Sequence, residues 1–446
     1  MVINLNLNSV CLLNDSFPPL IDGVANAVTN YARVIHNQGL DPIVITPDHP
    51  EAEDTRFPYE ILRYPSIDLR EKTGYFAGIP FSPDIARRLS DKNVSLLHCH
   101  CPIVSTMLAR ELRQILDAPI VLTYHTKFDI DIANIMKSRA MQDLSLHALL
   151  ENINACDEVW AVSNGAADNL RSLGYEGDIV IMQNGVDLPR GRVSDSAILE
   201  ETGRYDLPDG IPVFLFVGRL MWYKGLRIIL EALAKLGASN QEFRMVFIGS
   251  GGNEAEVREY AATCGISDRC IFTGAIHSRE SLRAWYCRAD LFLFPSTFDT
   301  NGLVVREAAA CSLASVLIKD SCAAEGVADG RNGFLIDENA DSMYALLQTL
   351  CEHPRKMHVV GNQAAEELYI SWDTAVNNAL ERYGIVIDRY RAGYYPPHRK
   401  PMEGVFRANG DLMERLAHIQ SLRYAVHEQL KDYISEQIDH FKDLHE

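Results

Sequence analysis

Arg219 and Lys224 stand five positions apart in a turn that follows the apolar run 213–217 and precedes a helical pattern. An arginine offers a planar pair of donors to a phosphate, and a lysine offers a compact positive charge. Gly218 and Gly225 flank the two cations, and glycine allows the backbone to approach a ligand closely. The pattern predicts a diphosphate-binding turn, and the alternative is a solvated basic turn.

Asp299 and Glu307 stand eight positions apart after the apolar run 291–294. Gly302 lies between them, where a helix is expected to begin, and the free amides of a helix start attract an anion. A carboxylate further along that helix can accept hydrogen bonds from two ribose hydroxyls. The segment therefore predicts a nucleotide site with Glu307 on the ribose. The alternative is a pair of surface acids near a helix start.

Two further residues follow predicted strands in the first half of the chain. Gly23 opens a helical pattern and could offer backbone amides to a phosphate, although a lone glycine there is more often just a turn. His125 follows the apolar run 120–123, which places it at the carboxyl edge of a sheet. We expect it to face a ligand cleft, and the alternative is a structural histidine.

Short apolar runs separated by helical patterns are the elements that must position these residues. The runs of the first half are 10–13, 42–46, 95–98, 120–123, 159–162 and 179–182. Those of the second half are 213–217, 244–248, 270–272, 291–294 and 314–318. Continuous apolar strands alternating with helices predict parallel sheets with helices on both faces. The fold class is therefore α/β, with two doubly wound domains of similar size.

The polar segment 187–209 is the predicted linker, so the domains are expected at about 1–188 and 189–370. Ligands of such sheets bind at the carboxyl ends of the strands. We therefore expect a cleft to which both domains contribute loops. The tail 402–446 contains Leu412, Leu416, Ile419, Val426 and Leu430 at helical spacing. Residues 409–443 are predicted to form one or two helices, either as a helical hairpin packed on the body or as a surface for oligomerisation or a partner.

The 446 residues carry a formal net charge of −18, which disfavours a nucleic-acid partner. Ten cysteines without a small-domain disulfide pattern favour a reducing, cytoplasmic setting. No apolar run is long enough to span a membrane, and the N-terminus is a poor signal peptide. The run His98-Cys99-His100-Cys101 is not expected to bind metal, because strand alternation separates the histidines from the cysteines.

With these motifs, the chain resembles the retaining glycosyltransferases of family 4, also called glycosyltransferases group 1, over about residues 9–385. The most specific element is an acid-x7-acid pattern, here Asp299 to Glu307. The segment with Gly218, Arg219 and Lys224 matches the phosphate motif of the family. The other matching segments are Asn184-Gly185-Val186-Asp187, Gly274-Ala275-Ile276 with Leu282, and Trp372.

The resemblance implies a GT-B fold, in which two Rossmann-like domains face each other, here with a C-terminal helical extension. Residues 1–188 would be the acceptor domain, residues 189–370 would bind the nucleotide sugar, and a helix at about 371–395 would return to the first domain. The implied reaction moves a hexose from a nucleotide sugar, most often UDP-linked, to a hydroxyl of a lipid or glycan. Retention of the anomeric configuration and independence of metal and cofactor are also implied.

The family also implies a role for each matched residue. Arg219 and Lys224 would bind the donor diphosphate, Glu307 the ribose, and the backbone at Ile276 the base. Asp299 would lie by the donor sugar. The segment Asn301, Gly302 and Leu303 would cap the phosphates and touch the sugar. Gly23 would approach the distal phosphate, and His125 would lie by the sugar near the reacting centre.

The chain departs from the family pattern at the first acid, where Asp299 replaces the usual glutamate. That departure leaves open a non-catalytic partner protein that keeps the GT-B fold. An enzyme of the sugar-nucleotide epimerase type, which also acts on a nucleotide diphosphate, is a further alternative. A modest set of basic residues on the first domain also keeps peripheral membrane contact open; it comprises Arg87, Arg88, Lys92, Lys137 and Arg139.

Overall fold

The computed structural model describes residues 8–20, 22–70, 75–299, 302–395 and 403–443, without the side chains of 130, 131, 134, 135 and 424–443. The chain divides into two compact units. Unit 1 comprises the described residues of Met1–Ala161, Asn169–Met182 and Val376–Glu446. Unit 2 comprises those of Val162–Asp168 and Gln183–Ala375. The change of unit thus falls between 182 and 183, slightly before the boundary expected at 188.

Unit 1 is built on a parallel sheet in the order β3-β2-β1-β6-β7-β8-β9. Its strands are β1 (Ser9–Leu13), β2 (Asp41–Pro47), β3 (Glu60–Tyr64), β6 (Val94–Cys99), β7 (Ile120–Tyr124), β8 (Glu158–Ala161) and β9 (Ile179–Ile181). β4 (Ser66–Asp68) and β5 (Phe76–Gly78) form a separate antiparallel pair. The central strands are buried throughout, which explains their continuous apolar sequence.

The helices of unit 1 separate these parallel strands. They are α1 (Gly23–Asn37), α2 (Pro83–Ser90), α3 (Val104–Leu116), α4 (Phe128–Ile135), α5 (Arg139–Asn154) and α6 (Asn164–Ser172), the last of which begins in unit 2. Asp15, in the loop after β1, caps α3 by accepting from the amides of Val104 at 3.0 Å and Ser105 at 2.6 Å. Because Ile103 at the helix start has no capping side chain, Asp15 supplies the missing acceptor.

Unit 2 repeats the architecture with a parallel sheet in the order β12-β11-β10-β13-β14-β15. Its strands are β10 (Val213–Val217), β11 (Arg244–Ile248), β12 (Cys270–Gly274), β13 (Leu291–Phe294), β14 (Ser315–Ile318) and β15 (Phe334–Ile336). Its helices are α7 (Asp195–Thr202), α8 (Leu226–Ala238), α9 (Glu254–Thr263), α10 (Arg279–Arg288), α11 (Leu303–Ala310), α12 (Ala340–Glu352) and α13 (Arg355–Glu367). The apolar faces of sheet and helices form one core.

The predicted strand series is confirmed, and the sheets contain strands that the apolar-run criterion missed. β3 carries Glu60 and Arg63, which form ion pairs near the surface, so its sequence is not a continuous apolar run. β15 has only three residues. Both strands lie at the edge of their sheet, where only one neighbouring strand covers them. Such a strand does not have to be apolar along its whole length. The two sheets have the doubly wound strand order that was expected.

Helix α14 (Trp372–Arg391) passes from unit 2 to unit 1 after Ala375, and α15 (Glu403–Asp443) follows in unit 1. The predicted hairpin in the tail is wrong, because α15 is one continuous helix. Of the apolar residues named at helical spacing, Leu412 and Ile419 are exposed and Leu416 is half-buried, whereas Phe406, Met413 and Ala417 of the same helix are buried. The side chains of Val426 and Leu430 lie outside the description.

Both polar and apolar side chains of α15 pack on the rest of unit 1. The guanidinium of Arg110 lies 3.8 Å from the centre of the Phe406 ring and bonds the carboxylate of Glu403 at 2.9 Å. A Cβ on Gly410 would lie 2.9 Å from the carbonyl oxygen of Glu111, so α15 approaches α3 closely there. A pattern of apolar residues in the sequence could not reveal that the buried ion pair between Arg110 and Glu403 is part of the contact between α15 and α3.

Candidate active site

The sequence-predicted phosphate turn lies at the carboxyl end of β10, the strand beside which the order of the second sheet reverses. β10 pairs with β11 on one side and β13 on the other. The loops after β10 and β13 therefore leave the sheet side by side, at the place where doubly wound folds bind ligands. Arg219 and Lys224 are in the first loop, and Asp299 is in the second.

Two glycines allow these loops to lie close together. Gly225 has φ +76°, and a Cβ there would lie 2.1 Å from the carbonyl oxygen of Pro295. Gly249, after β11, has φ +136°, and a Cβ there would lie 2.0 Å from the carbonyl oxygen of Gly218. A side chain at either position would push the loops apart. The glycine-rich stretch 249–252 belongs to the framework of the site, although it was not singled out as a motif.

Lys224 is buried, and its ammonium is paired with Asp299. Nζ lies 2.8 Å from both carboxylate oxygens of Asp299. Ser296 Oγ donates to Oδ2 of the same carboxylate at 2.6 Å. The side chain of Lys224 is 9% exposed and that of Asp299 is 23% exposed, so water reaches the pair from the Asp299 side. A buried ammonium is thus held at the loop junction by an acid that remains accessible.

Arg219 lies at the exposed end of the same turn. Within the described ranges, no carboxylate forms an ion pair with it. An accessible guanidinium without a partner at this sheet edge is available to an anionic ligand. Together with Lys224, it gives the turn two cations of different kinds.

The start of α11 provides backbone donors beside these cations. Gly302, with φ +55°, precedes the helix and has no capping side chain. The amides of Val305 and Arg306 donate to the Gly302 carbonyl. The amides of Gly302, Leu303 and Val304 have no acceptor among the described residues. Asn301, the remaining predicted member of this segment, lies outside the described residues.

Glu307 is buried on α11, and both of its carboxylate oxygens are already hydrogen-bonded. Arg279 Nη1 donates to Oε1 at 3.1 Å, and the hydroxyl of Tyr286 donates to Oε2 at 3.0 Å. Burial raises the pKa of the Glu307 carboxyl, and the Arg279 charge and Tyr286 hydrogen bond act in the opposite direction. The carboxylate is thus fixed in orientation by two groups from α10.

Arg279 also reaches the predicted segment at the end of the first domain. Its Nη2 donates to Asp187 Oδ2 at 2.9 Å, and the indole of Trp372 donates to Asp187 Oδ1 at 2.8 Å. Ile276 lies in the loop between β12 and α10, three positions before Arg279, and is half-buried. Arg279, which bonds Glu307, is thus the first residue of the helix that follows the loop with Ile276.

Arg279, Tyr286 and Ser296 are site residues that the sequence reasoning missed. Arg279 and Tyr286 are seven positions apart on α10, a spacing that places two residues on one helix face. This spacing could have identified Arg279 and Tyr286 only if it had been known that α11, which carries Glu307, packs against that face of α10. Ser296 lies between the predicted strand and Asp299, where its hydroxyl turns back to the carboxylate.

The predicted His125 belongs to unit 1, where it follows β7 and is buried. Its Nε2 lies 3.0 Å from Nδ1 of His100, and the two rings stack with centroids 5.2 Å apart. Burial lowers the pKa of His125 to about 3, so its imidazole is neutral at neutral pH. A neutral imidazole can offer one donor and one acceptor to polar partners.

His98 in β6 and His100, the residue after this strand ends, form a polar cluster with His125. His98 bonds the Tyr383 hydroxyl at 2.5 Å and the Thr123 hydroxyl at 2.7 Å, and its ring lies 4.0 Å from that of His100. The rings of His98 and His100 lie next to each other, as expected for side chains two positions apart in extended backbone. No group of three or more metal-ligating side chains is found within the described residues.

Gly23 is the first residue of α1, as predicted. Asp22 caps this helix through Oδ1, which accepts from the amides of Val24 at 2.8 Å and Ala25 at 2.7 Å. Two of the amides expected to face a phosphate are therefore occupied by a carboxylate. The amide of Gly23 itself has no acceptor among the described residues. A Cβ at Gly23 would meet no atom within 4 Å.

The basic residues considered for membrane contact are largely neutralised by neighbouring acids. Arg87 pairs with Asp84 at 2.8 Å, and Glu60 pairs with Arg88 at 2.7 Å and with Lys92 at 2.6 Å. Among the residues that the structure describes, no helix is both long and apolar enough to cross a membrane.

Two family models match consecutive parts of the chain. The model described as glycosyltransferase family 4 matches residues 21–190, and the model described as glycosyl transferases group 1 matches residues 199–367. Together they cover the second sheet, the first sheet apart from β1, and the site residues Arg219, Lys224, Asp299 and Glu307.

Curated relatives match most of the chain at low identity. A GDP-mannose-dependent alpha-mannosyltransferase of Corynebacterium glutamicum is 25% identical over 390 residues, which are 85% of this chain and 89% of that protein. An alpha-monoglucosyldiacylglycerol synthase of Streptococcus pneumoniae is 22% identical over 353 residues, or 77% of this chain and 78% of that protein.

Among solved structures, the Anabaena protein HepE in complex with UDP has a TM-score of 0.67 to this chain at 17% identity. The match covers 84% of this chain and 99% of that one. This similarity shows the α/β GT-B fold, with two Rossmann-like domains and a C-terminal helical part.

Proposed function

Because the chain belongs to the glycosyl transferases of group 1, we propose that it transfers a hexose from a UDP-sugar to a hydroxyl acceptor with retention of configuration. The observation that supports this proposal is the set of donors at the carboxyl ends of β10 and β13. These donors are the exposed guanidinium of Arg219, the ammonium of Lys224, and the amides at the start of α11 that have no acceptor among the described residues. Glu307 supplies the acceptor group that two ribose hydroxyls require.

The proposed chemistry follows from where charge develops. As the bond between the sugar and the diphosphate breaks, the leaving diphosphate gains negative charge. Fixed cations and helix-start amides stabilise that charge more in the transition state than in the ground state, because they need no reorganisation. We assign Arg219 and Lys224 to the diphosphate, the amides of Gly302 and Leu303 to its distal part, and Asp299 to the sugar.

The choice of UDP is supported by the HepE structure, which was solved in complex with UDP. The mannosyltransferase relative is named for GDP-mannose, so GDP is the competing nucleotide. A lipid or glycan hydroxyl is proposed as acceptor, and the name of the diacylglycerol-linked relative supports a lipid. Ten free cysteines support a cytoplasmic setting.

A thermal-shift screen of UDP-, GDP- and ADP-sugars tests the donor. We expect the UDP-sugars to raise the unfolding temperature most, since a ligand that binds only the folded state stabilises it. A larger shift with GDP-sugars would replace the proposed nucleotide, and no shift with any donor would contradict the proposed site.

Slow donor hydrolysis tests catalysis. We expect release of UDP by the wild-type protein and its loss in Arg219→Ala. Binding without hydrolysis or transfer to any hydroxyl acceptor would support the non-catalytic interpretation. An epimeric nucleotide sugar appearing without acceptor would support an epimerase-type reaction instead.

A further inference from the structure

Arg279 joins two carboxylates that are far apart in the sequence. One of its terminal nitrogens bonds Glu307 at 3.1 Å, and the other bonds Asp187 at 2.9 Å. We propose that Arg279 is a positioning residue that orients the Glu307 carboxylate and keeps its remaining acceptor sites directed to the two hydroxyls of the donor ribose. The proposal rests on the proposed function, since it assumes that Glu307 holds the ribose.

The acceptor capacity of Glu307 matches this role. A carboxylate has about four acceptor sites, two on each oxygen. Arg279 occupies one site on Oε1, and the Tyr286 hydroxyl occupies one site on Oε2. One acceptor site then remains on each carboxylate oxygen. The two hydroxyls of a vicinal diol can therefore each donate one hydrogen bond, one to Oε1 and one to Oε2.

Arg279 is in turn held by a fixed partner. Asp187 accepts from Arg279 through Oδ2 and from the buried Trp372 indole through Oδ1, so its carboxylate cannot rotate freely. The planar fork of an arginine can bond two acceptors in a defined geometry, which the single ammonium of a lysine cannot reproduce. The side chain of Arg279 itself is 49% exposed, so its order depends on these two bonds.

Charge is the second effect of Arg279 on Glu307. The ionisable groups around the carboxyl are Arg279, Tyr286, Asp187 and Cys311, and Arg279 is the cation among them. Burial and Asp187 raise the pKa of Glu307, whereas Arg279 lowers it. An ionised carboxylate accepts from both hydroxyls, whereas a protonated one carries a donor in place of an acceptor site.

The test compares a nucleoside diphosphate with its 2′-deoxy form by titration calorimetry. The probes are UDP and 2′-deoxy-UDP. If the wild-type protein binds GDP or ADP more tightly than UDP, that nucleotide and its 2′-deoxy form are used instead. In the wild type, we expect removal of the 2′-hydroxyl to weaken binding by about 10-fold or more, because the lost hydrogen bond is to a charged group. In Arg279→Gln, we expect this ratio to fall to about twofold.

Arg279→Lys separates orientation from charge. We expect it to show a reduced ratio at neutral pH, like Arg279→Gln, because the fork is lost. As the pH is lowered, however, we expect Arg279→Gln to lose nucleotide affinity at a higher pH than either wild type or Arg279→Lys. Removing the cation raises the pKa of Glu307, whereas lysine retains a positive charge.

Two controls keep the test interpretable. Inorganic pyrophosphate lacks a ribose, so its affinity should be the same in wild type and Arg279→Gln if the variant is folded. Arg283→Gln changes an arginine one turn further along α10 that donates to the Gly191 carbonyl at 2.8 Å, and it should keep the wild-type ratio.

An unchanged ratio in Arg279→Gln, with wild-type nucleotide affinity, would overturn the role of Arg279. Equal loss of pyrophosphate and nucleotide affinity would also overturn it, because that result indicates a general structural role. If the wild-type protein binds none of the three nucleoside diphosphates, the proposed function fails instead, and the two failures are therefore distinguishable.

Discussion

Lys224 and Asp299 form a bidentate ion pair, in which the ammonium lies 2.8 Å from both carboxylate oxygens. They stand in two different loops of unit 2, at the ends of adjacent parallel strands. The pair orients the lysine, and it also neutralises the charge that a diphosphate would need. A phosphate that approaches Lys224 must therefore share the ammonium with Asp299 or displace it.

Asp299→Asn is expected to tighten pyrophosphate binding. The substitution removes a carboxylate that competes with pyrophosphate for Lys224 and repels it. Because water reaches this ion pair, we expect the affinity for pyrophosphate to rise only about two- to fivefold. Titration calorimetry with pyrophosphate measures the effect. Asp341→Asn, which alters an exposed partner of Lys235 in the same unit, is the matched control and should leave binding unchanged. Weaker binding in Asp299→Asn would show that the pair serves mainly to hold Lys224 in place.

Lys224→Ala is expected to weaken UDP binding by about 1.5–3 kcal/mol, the range for a hydrogen bond to a charged group. Calorimetry with UDP provides the measurement. Lys235→Ala removes a lysine of α8 whose side chain is 44% exposed, and it should bind UDP like the wild type. If Lys224→Ala also keeps the wild-type affinity, the assignment of Lys224 to the diphosphate is wrong.

Gly23→Ala tests the predicted approach of a phosphate to the start of α1. The added methyl group meets no atom within 4 Å, and Gly23 does not have a positive φ, so the free energy of unfolding should not fall. We expect nucleotide-sugar affinity to fall several-fold, because a Cβ would occupy space that the ligand needs. Urea unfolding and donor titration are the two measurements. Unchanged donor affinity would indicate that Gly23 is an ordinary first helical residue.

Glu111→Gln is expected to change how stability depends on pH. Burial raises the pKa of Glu111 from 4.5 to about 7, so between these values the folded state binds more protons than the unfolded state. The contribution of this group to the free energy of unfolding is therefore fully present below about pH 4.5 and is lost as the pH rises through 7.

Glutamine removes this titration and can still accept from Asn409, whose amide lies 3.0 Å from Glu111 Oε1. We thus expect the variant to have a higher free energy of unfolding than the wild type at pH 8. Its free energy of unfolding should also change less between pH 5 and pH 8 than that of the wild type. Denaturant unfolding at the two pH values measures this. A difference equal to that of the wild type would mean that Glu111 stays ionised when folded.

The local pattern of the chain was sufficient to predict the two doubly wound sheets, because a strand buried on both faces must be apolar throughout. It was also sufficient to place Arg219, Lys224, Asp299 and Glu307 in loops and helix starts after such strands. The edge strand β3 escaped prediction because partial exposure permits charged residues within it. In α15, helical spacing alone did not indicate which apolar residues pack on unit 1: Phe406 contacts Arg110 and is buried, whereas Leu412 is exposed.

The sequence by itself determined which residue types follow which strands, because hydrophobic periodicity and turn residues are local properties. Only the tertiary structure decided that Lys224 is paired with Asp299, that His125 contacts His100, and that Arg279 links Glu307 to Asp187. Such pairings join segments that the sheet order brings together. Their geometry depends on the packing of whole elements, and no single segment of the chain contains that information.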